Sequence, residues 1–237
     1  MGDEKDASMV SFSGQTALGT LAKFATLIVG FIGTILFARV LGPNAFGGFY
    51  LILAVVELSA LPLDGWAIAG KKRFSELNSR TREILGGQLI AVAVLLSVAG
   101  GASMLFGGWI REYTGVEGAP EHFFLLLSTL SLFVVFRALL EASGRVGVAE
   151  WTNTLKDWLT FMFQLTFVLW LGLGVTGMSY GWALSSGLVF VLLVSVVRIA
   201  PALPSRETVQ NLWSYGKYSV PNSVFGGSFS RFDMLLL

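Results

Sequence analysis

The chain has 237 residues, of which 54% are hydrophobic and 13% are charged, about half the charged share of an ordinary soluble domain. Its formal net charge is +1, and it has one histidine and no cysteine, which excludes disulfides, thiolate metal sites and histidine clusters. We therefore expect a membrane protein with no cofactor, no metal site, no nucleotide and no nucleic-acid partner.

Apolar stretches follow a short acidic N-terminal segment, 1–17, and are separated by charges and Gly/Pro clusters. The clearest stretch is Trp158–Val197, forty residues without a charged side chain, interrupted in its middle by Gly172–Gly177. A helix that crosses a bilayer core of ~30 Å needs roughly 20 apolar residues, so this stretch predicts two spans joined by a tight turn. The same criteria place six spans at about 18–41, 46–70, 84–110, 122–142, 158–171 and 178–197.

We therefore predict an all-α integral membrane protein with one bundle of six transmembrane helices, covering 18–200. A polar linker at 144–157 precedes the fifth span, a loop at 201–211 follows the bundle, and an incomplete seventh span at 212–237 would begin a second bundle. The sequence stops on four apolar residues, Met234–Leu237, without an interfacial anchor for the helix end. This ending predicts the N-terminal portion of a longer transporter.

Lys and Arg residues are distributed unevenly between the two sides of these spans. The side that receives the N-terminal segment carries most of them, whereas the opposite side has Arg111 and the nearby Arg39. Basic residues accumulate in the cytoplasmic loops of membrane proteins. The pattern predicts a multi-pass protein of the plasma membrane with a cytoplasmic N-terminus and cytoplasmic loops at 71–82, 144–157 and 201–211.

Two motifs have both a specific and an ordinary interpretation. Gly65–Lys72 matches most of a phosphate-binding P-loop, but that motif needs a preceding strand and a final Ser or Thr, and this segment closes an apolar span. A span that ends in a basic anchor is therefore favoured. Small residues at Gly177, Gly181 and Ser185 lie on one face of the sixth span and allow close helix approach, with packing inside the chain favoured over homodimerisation.

Charged residues inside the spans are the candidate functional groups. Glu57 and Asp64 lie seven residues apart on one face of the second span, with Pro62 between them. A carboxylate deep in the bilayer costs ~3 kcal/mol or more, so it faces a cavity, pairs with a cation or is protonated. Ion coupling and a structural role are equally open for these two acids. Arg137 and Glu141, four residues apart, favour an internal ion pair.

Four other charged positions lie in or near the predicted spans. Lys23 is about one turn inside the first span and is able to snorkel to the interface. Arg39 is at the opposite end of that span, where interfacial anchoring explains it as well as a functional role does. Arg231 and Asp233 lie well inside the seventh span, where an interfacial role does not explain them.

The segment Phe37–Tyr50 reads Phe-Ala-Arg-Val-Leu-Gly-Pro-Asn-Ala-Phe-Gly-Gly-Phe-Tyr. It resembles the first-span motif of the polysaccharide-biosynthesis flippases, which belong to the multidrug/oligosaccharidyl-lipid/polysaccharide exporter (MOP) superfamily. The basic cluster with Arg73, and Trp213–Gly216 with Asp233, are similar to the family's second and seventh spans. The resemblance implies two six-helix bundles related as a parallel repeat, of which this chain would hold the first and the opening helix of the second.

The resemblance also implies a function, namely movement of a polyprenyl-phosphate- or pyrophosphate-linked oligosaccharide from the cytoplasmic to the outer leaflet. The charged head group would meet cations in a cavity while the polyprenyl tail stays in lipid. The available candidates are Lys23, Arg39, Arg137 and Arg231 for the substrate phosphate, and Glu57, Asp64 and Asp233 for coupling to H+ or Na+.

Three alternatives to a glycan flippase stay open. A cation-coupled drug exporter of the same superfamily is one, although the Arg39–Pro43 stretch favours the glycan branch. A membrane-embedded polymerase or transferase needs a large outer loop, and the longest one, Arg111–Glu121, is too short for a catalytic domain. We therefore expect that the chain is not an enzyme. A non-transporting membrane fragment is the third alternative.

Overall fold

The structure is a computed structural model that describes residues 24, 26–76 and 80–229. Every regular element in these ranges is helical. In chain order the elements are α1 Thr26–Leu41, α2 Pro43–Glu76, α3 Thr81–Thr114, α4 Ala119–Ala142, α5 Val146–Leu165, a π-helical segment Thr166–Trp170, α6 Gly174–Val197 and α7 Arg206–Phe229.

Four of the helices, α2, α3, α4 and α6, are long and apolar enough to cross a membrane by length and composition, and α1 is a shorter apolar helix. The predicted fold class, an all-α membrane protein, is therefore confirmed. The segment 1–17, the start of the first predicted span and the end of the seventh lie outside the described residues.

The main difference from the sequence prediction concerns the linker at 144–157. It is helical, because α5 begins at Val146 and runs without interruption past the predicted start of the fifth span. The charges that indicated a loop have partners inside the protein: Glu150 pairs with Arg137, and Lys156 contacts two aromatic rings. Charged residues that have partners within the protein are compatible with a helix packed in a bundle. The prediction of the start of the fifth span was therefore wrong because it relied on polarity alone.

The loop at 201–211 is also shorter than predicted, since α7 begins at Arg206. Ser205 caps this helix, and its Oγ accepts a hydrogen bond from the backbone N–H of Thr208 at 3.3 Å. Glu83, in the first turn of α3, accepts hydrogen bonds from the Ser205 N–H at 2.8 Å and from the Thr208 hydroxyl at 2.6 Å. The start of α7 is thereby tied to α3.

Helix α2 packs against α3, α4 and α7. It remains a single helix across Pro62. Its seam with α7 is close, because a Cβ added at Gly65 would lie 2.5 Å from the Val220 Cα. The Ser219 hydroxyl donates to the Gly65 carbonyl at 2.8 Å across the same seam. The glycine therefore allows the two helices to approach closely, and the serine hydrogen bond joins them.

The α5–α6 hairpin is joined by the small-residue face predicted on the sixth span. A Cβ at Gly181 would lie 2.7 Å from the backbone N of Gln164, and one at Gly177 would lie 3.0 Å from the backbone carbonyl carbon of Phe167. Ser185 and Thr160 share a hydroxyl hydrogen bond of 2.5 Å. This face thus packs within the chain against α5 and the π-helical segment that follows it.

The contact at Gly181 predicts a position-specific loss of stability. Gly181→Ala should overpack the seam and lower the free energy of unfolding by about 1–3 kcal/mol. Gly187→Ala on the same helix is the matched control, because nothing lies within 4 Å of its added Cβ. Thermal unfolding in detergent measures both, and equal midpoints for the two variants would contradict the close seam.

Candidate functional site

A cavity of about 260 Å³ lies between α1 and α5, with Tyr50 of α2 and Trp182 of α6 completing its wall. Gly33 of α1 brings the two helices together, since a Cβ there would lie 3.1 Å from the Phe161 ring. The Phe37 ring also lines the cavity, and its centroid is 6.2 Å from that of Phe161. The wall therefore combines aromatic rings with polar side chains.

The polar groups of the wall come mainly from α5. Lys156, Thr160 and Gln164 follow one another at four-residue intervals and therefore lie on one face of the helix. The Gln164 amide donates to the Met178 carbonyl at 3.1 Å, and Thr160 is bonded to α6 as described above. These bonds tie the polar face of α5 to α6 at the edge of the cavity.

Lys156 is the cation among the described residues that line this wall. Its Nζ is 2.9 Å from Oδ1 of Asp157, which also lines the cavity. The same Nζ lies 5.2 Å from the ring centroid of Trp182 and 5.9 Å from that of Phe133. Lys156 is ten residues beyond Val146, the first residue of α5, which is about 15 Å along the helix.

Among the predicted phosphate candidates, Arg137 lies on α4 in a charged network. Its Nη2 is 2.9 Å from Glu141 and 3.5 Å from Glu150. Glu141 also accepts a hydrogen bond from Lys71 at 2.7 Å. The network joins α2, α4 and α5, and Arg137 does not line the cavity.

The other predicted residues are more dispersed. Arg39 is exposed near the end of α1 and does not line the cavity, while Glu57 and Asp64 are half-buried on α2. Lys23, Arg231 and Asp233 lie outside the described residues. Coupling through Glu57 and Asp64 stays a prediction.

Sequence reasoning missed Lys156 and Asp157, because both were assigned to the linker before the fifth span. The four-residue spacing of Lys156, Thr160 and Gln164 was the signal that a helical polar face extends into the apolar stretch. A search for polar residues at helical spacing across the predicted boundary would have found it.

The arrangement of these helices is that of a known class of transporter. A MOP superfamily transporter from Pyrococcus furiosus superposes with a TM-score of 0.65 at 16% identity, over 89% of this chain and 52% of that one. A MATE transporter solved in complex with Br-NRF gives 0.67 at 19% identity, over 91% and 54%. The described helices thus have the fold of about half of a MOP-superfamily transporter.

A curated relative supports the resemblance noted in the sequence. The chain is 28% identical over 219 residues to a protein of Haloferax volcanii named probable low-salt glycan biosynthesis flippase Agl15. The match covers 87% of this chain and 43% of the relative, so the chain spans less than half of that protein's length. No protein-family profile matches the chain. The resemblance to glycan flippases of the MOP superfamily is therefore confirmed.

The charged network predicts a stability difference between two Glu→Gln variants. Glu141 is 16% exposed and accepts from two cations, so Glu141→Gln should cost about 1.5–3 kcal/mol for each charged hydrogen bond lost. Glu76→Gln is the control, because the Glu76 side chain is 43% exposed and exposed pairs contribute about 0–1 kcal/mol. Thermal unfolding in detergent measures both, and an unchanged midpoint for Glu141→Gln would show that the network adds no stability.

Proposed function

We propose that this chain is the N-terminal part of a flippase that moves a polyprenyl-(pyro)phosphate-linked oligosaccharide from the cytoplasmic to the outer leaflet. The observation that carries the proposal is the similarity to a flippase-named relative over 219 residues, together with the MOP fold. The translocated oligosaccharide would be used for the synthesis of cell-surface polysaccharide or glycan.

The cavity supports this proposal on physical grounds. The head group of such a substrate is charged and hydrated, and a bare charge in hydrocarbon is costly. The cavity offers a cation, a carboxylate and hydroxyl groups within a helix bundle. The polyprenyl tail would remain in the surrounding lipid, where it has no need of a protein site.

Because the chain covers about half of its structural neighbours, we propose that the working transporter contains a second bundle. Opening of a cleft between two bundles, first to one side and then to the other, would carry the head group across. Coupling to H+ or Na+ through Glu57, Asp64 or Asp233 belongs to the same proposal.

A cation-coupled drug exporter is the second candidate, because several of the similar solved structures are MATE transporters. Their identity to this chain is below 20%, so they support the fold and not a substrate. The flippase-named relative favours the glycan substrate.

We further propose that the N-terminus and the α2–α3 connection face the cytoplasm. The basic residues Lys71, Lys72, Arg73, Arg80 and Arg82 lie around this connection. The α3–α4 turn at the opposite end has Arg111 and three acidic residues nearby. This asymmetry follows the positive-inside rule.

The proposed activity predicts protein-dependent translocation in vesicles. The complete protein is reconstituted with a lipid-linked oligosaccharide labelled on its glycan, and a membrane-impermeant quencher is added outside. Protein should increase the quenched fraction with time, whereas protein-free vesicles should remain constant. Ethidium efflux from the same vesicles tests the drug-exporter alternative, and ethidium efflux without glycan movement would refute the flippase.

The proposed orientation predicts opposite labelling of two positions. Because the sequence has no cysteine, Ser75→Cys and Glu117→Cys each introduce a single thiol at an exposed position. In intact cells an impermeant maleimide should label Glu117→Cys and should reach Ser75→Cys only after permeabilisation. Labelling of both positions from the same side would contradict the topology.

A further inference from the structure

We propose that Lys156 binds the phosphate or pyrophosphate group of an isoprenoid-linked substrate, with Asp157 as the counter-ion that the phosphate displaces. This inference rests on the proposed function and names the substrate group that the α1–α5 cavity takes. Lys156 takes the place of Arg137 and Arg39, the two phosphate candidates of the sequence analysis that lie in the described residues, because neither of them lines the cavity.

The first argument is that Lys156 is held in position. Its side chain is only 14% exposed, and its Nζ lies over the rings of Trp182 and Phe133. A cation over an aromatic face gains about 0.5 kcal/mol at exposed sites and ~2 kcal/mol or more when it is desolvated. The ammonium therefore stays at the cavity wall when its counter-ion changes.

The second argument is that Asp157 is the more exposed member of the pair. Its side chain is 45% exposed, against 14% for Lys156, so it is able to rotate away into the open part of the cavity. A partly buried cation without an anion is unfavourable, so the departure of Asp157 requires another negative group at the same place. A phosphate oxygen meets that requirement, and a cationic drug does not.

The third argument is the size and shape of the cavity. Its volume of about 260 Å³ is slightly below the roughly 300–1,000 Å³ of pockets for drug-sized ligands. The cavity is therefore large enough for the phosphate-bearing part of the head group and too small for a whole oligosaccharide. Thr34 and Tyr50 bring further hydroxyl groups to the wall, on the side facing α5.

Together these features describe an ion exchange. In the empty state Lys156 donates to Asp157, and in the loaded state it donates to a phosphate oxygen. The Lys156 ammonium keeps an anion in both states, and the displaced Asp157 carboxylate, whose side chain is 45% exposed, is solvated in the open part of the cavity. No covalent bond forms or breaks.

The test is a binding measurement on the complete protein, with inorganic pyrophosphate, farnesyl diphosphate and uncharged farnesol as probes. Titration calorimetry in detergent gives the affinity of each. Lys156→Gln should weaken farnesyl diphosphate and pyrophosphate binding by about tenfold or more, because it removes a charged hydrogen bond. Lys156→Arg should retain most of the affinity.

The Asp157→Asn variant provides an independent test, because it keeps the Lys156 cation. Removal of the competing carboxylate should strengthen pyrophosphate binding by roughly two- to five-fold. Lys217→Gln is the control, because Lys217 is an exposed cation on α7 with an aromatic contact of its own, 4.8 Å from the Tyr218 ring centroid. Its affinities should equal those of the unmodified protein.

Several outcomes would overturn the proposal. Unchanged affinities in Lys156→Gln, weaker binding in Asp157→Asn, or farnesol binding as tight as farnesyl diphosphate would each do so. Equal affinity for pyrophosphate and farnesyl diphosphate would assign the site to free phosphate and overturn the lipid-linked source.

The translocation assay separates this inference from the proposed function. If phosphate binding depends on Lys156 but the protein moves no glycan, the proposed flippase function is wrong and the phosphate site is retained. If Lys156→Gln moves glycan normally, the proposed phosphate site is wrong and the flippase function is retained.

Discussion

Hydrocarbon provides no hydrogen-bond partners, so every charge and backbone group in a bilayer must find its partner within the protein. The structure meets this constraint by pairing charges between helices. Glu141 of α4 accepts from Lys71 of α2 and from Arg137 of its own helix, and Arg137 also approaches Glu150 of α5. These pairs hold three helices together at one end of the bundle, where an isolated charge would be costly.

Two helix pairs are closely packed, and a cavity lies at the boundary between α1 and α5. Gly65 permits contact of α2 with α7, and Gly181 permits contact of α6 with α5. In both seams a hydroxyl hydrogen bond adds to the packing. Helices α1 and α5 also meet closely, at Gly33 and Phe161, but beside that contact they leave a cavity whose wall includes Lys156. The close seam with α6 thus holds the helix that carries the Lys156 cation of that cavity.

The contact between α7 and α2 bears on how a two-bundle transporter moves. The resemblance to flippases predicts that the seventh span begins a second bundle, whereas α7 packs along α2 and begins against α3. Arg73 adds to this contact by donating to the Asn211 carbonyl at 3.0 Å and to the Ser214 hydroxyl at 2.7 Å. A motion that separates α7 from α2 must break these bonds together, because they lie on one continuous seam.

The composition and the charge-free stretch Trp158–Val197 indicated that the helices lie in a lipid bilayer. They also indicated the helical fold class and most of the helix order, since a bilayer sets both the length and the polarity of each span. The motif at Phe37–Tyr50 determined the resemblance to glycan flippases. Only the tertiary structure decided that the polar stretch at 144–157 is helix and that Lys156 faces a cavity. The reason is that a charge inside a bundle is distinguished from a charge in a loop by its partners, and those lie on other helices.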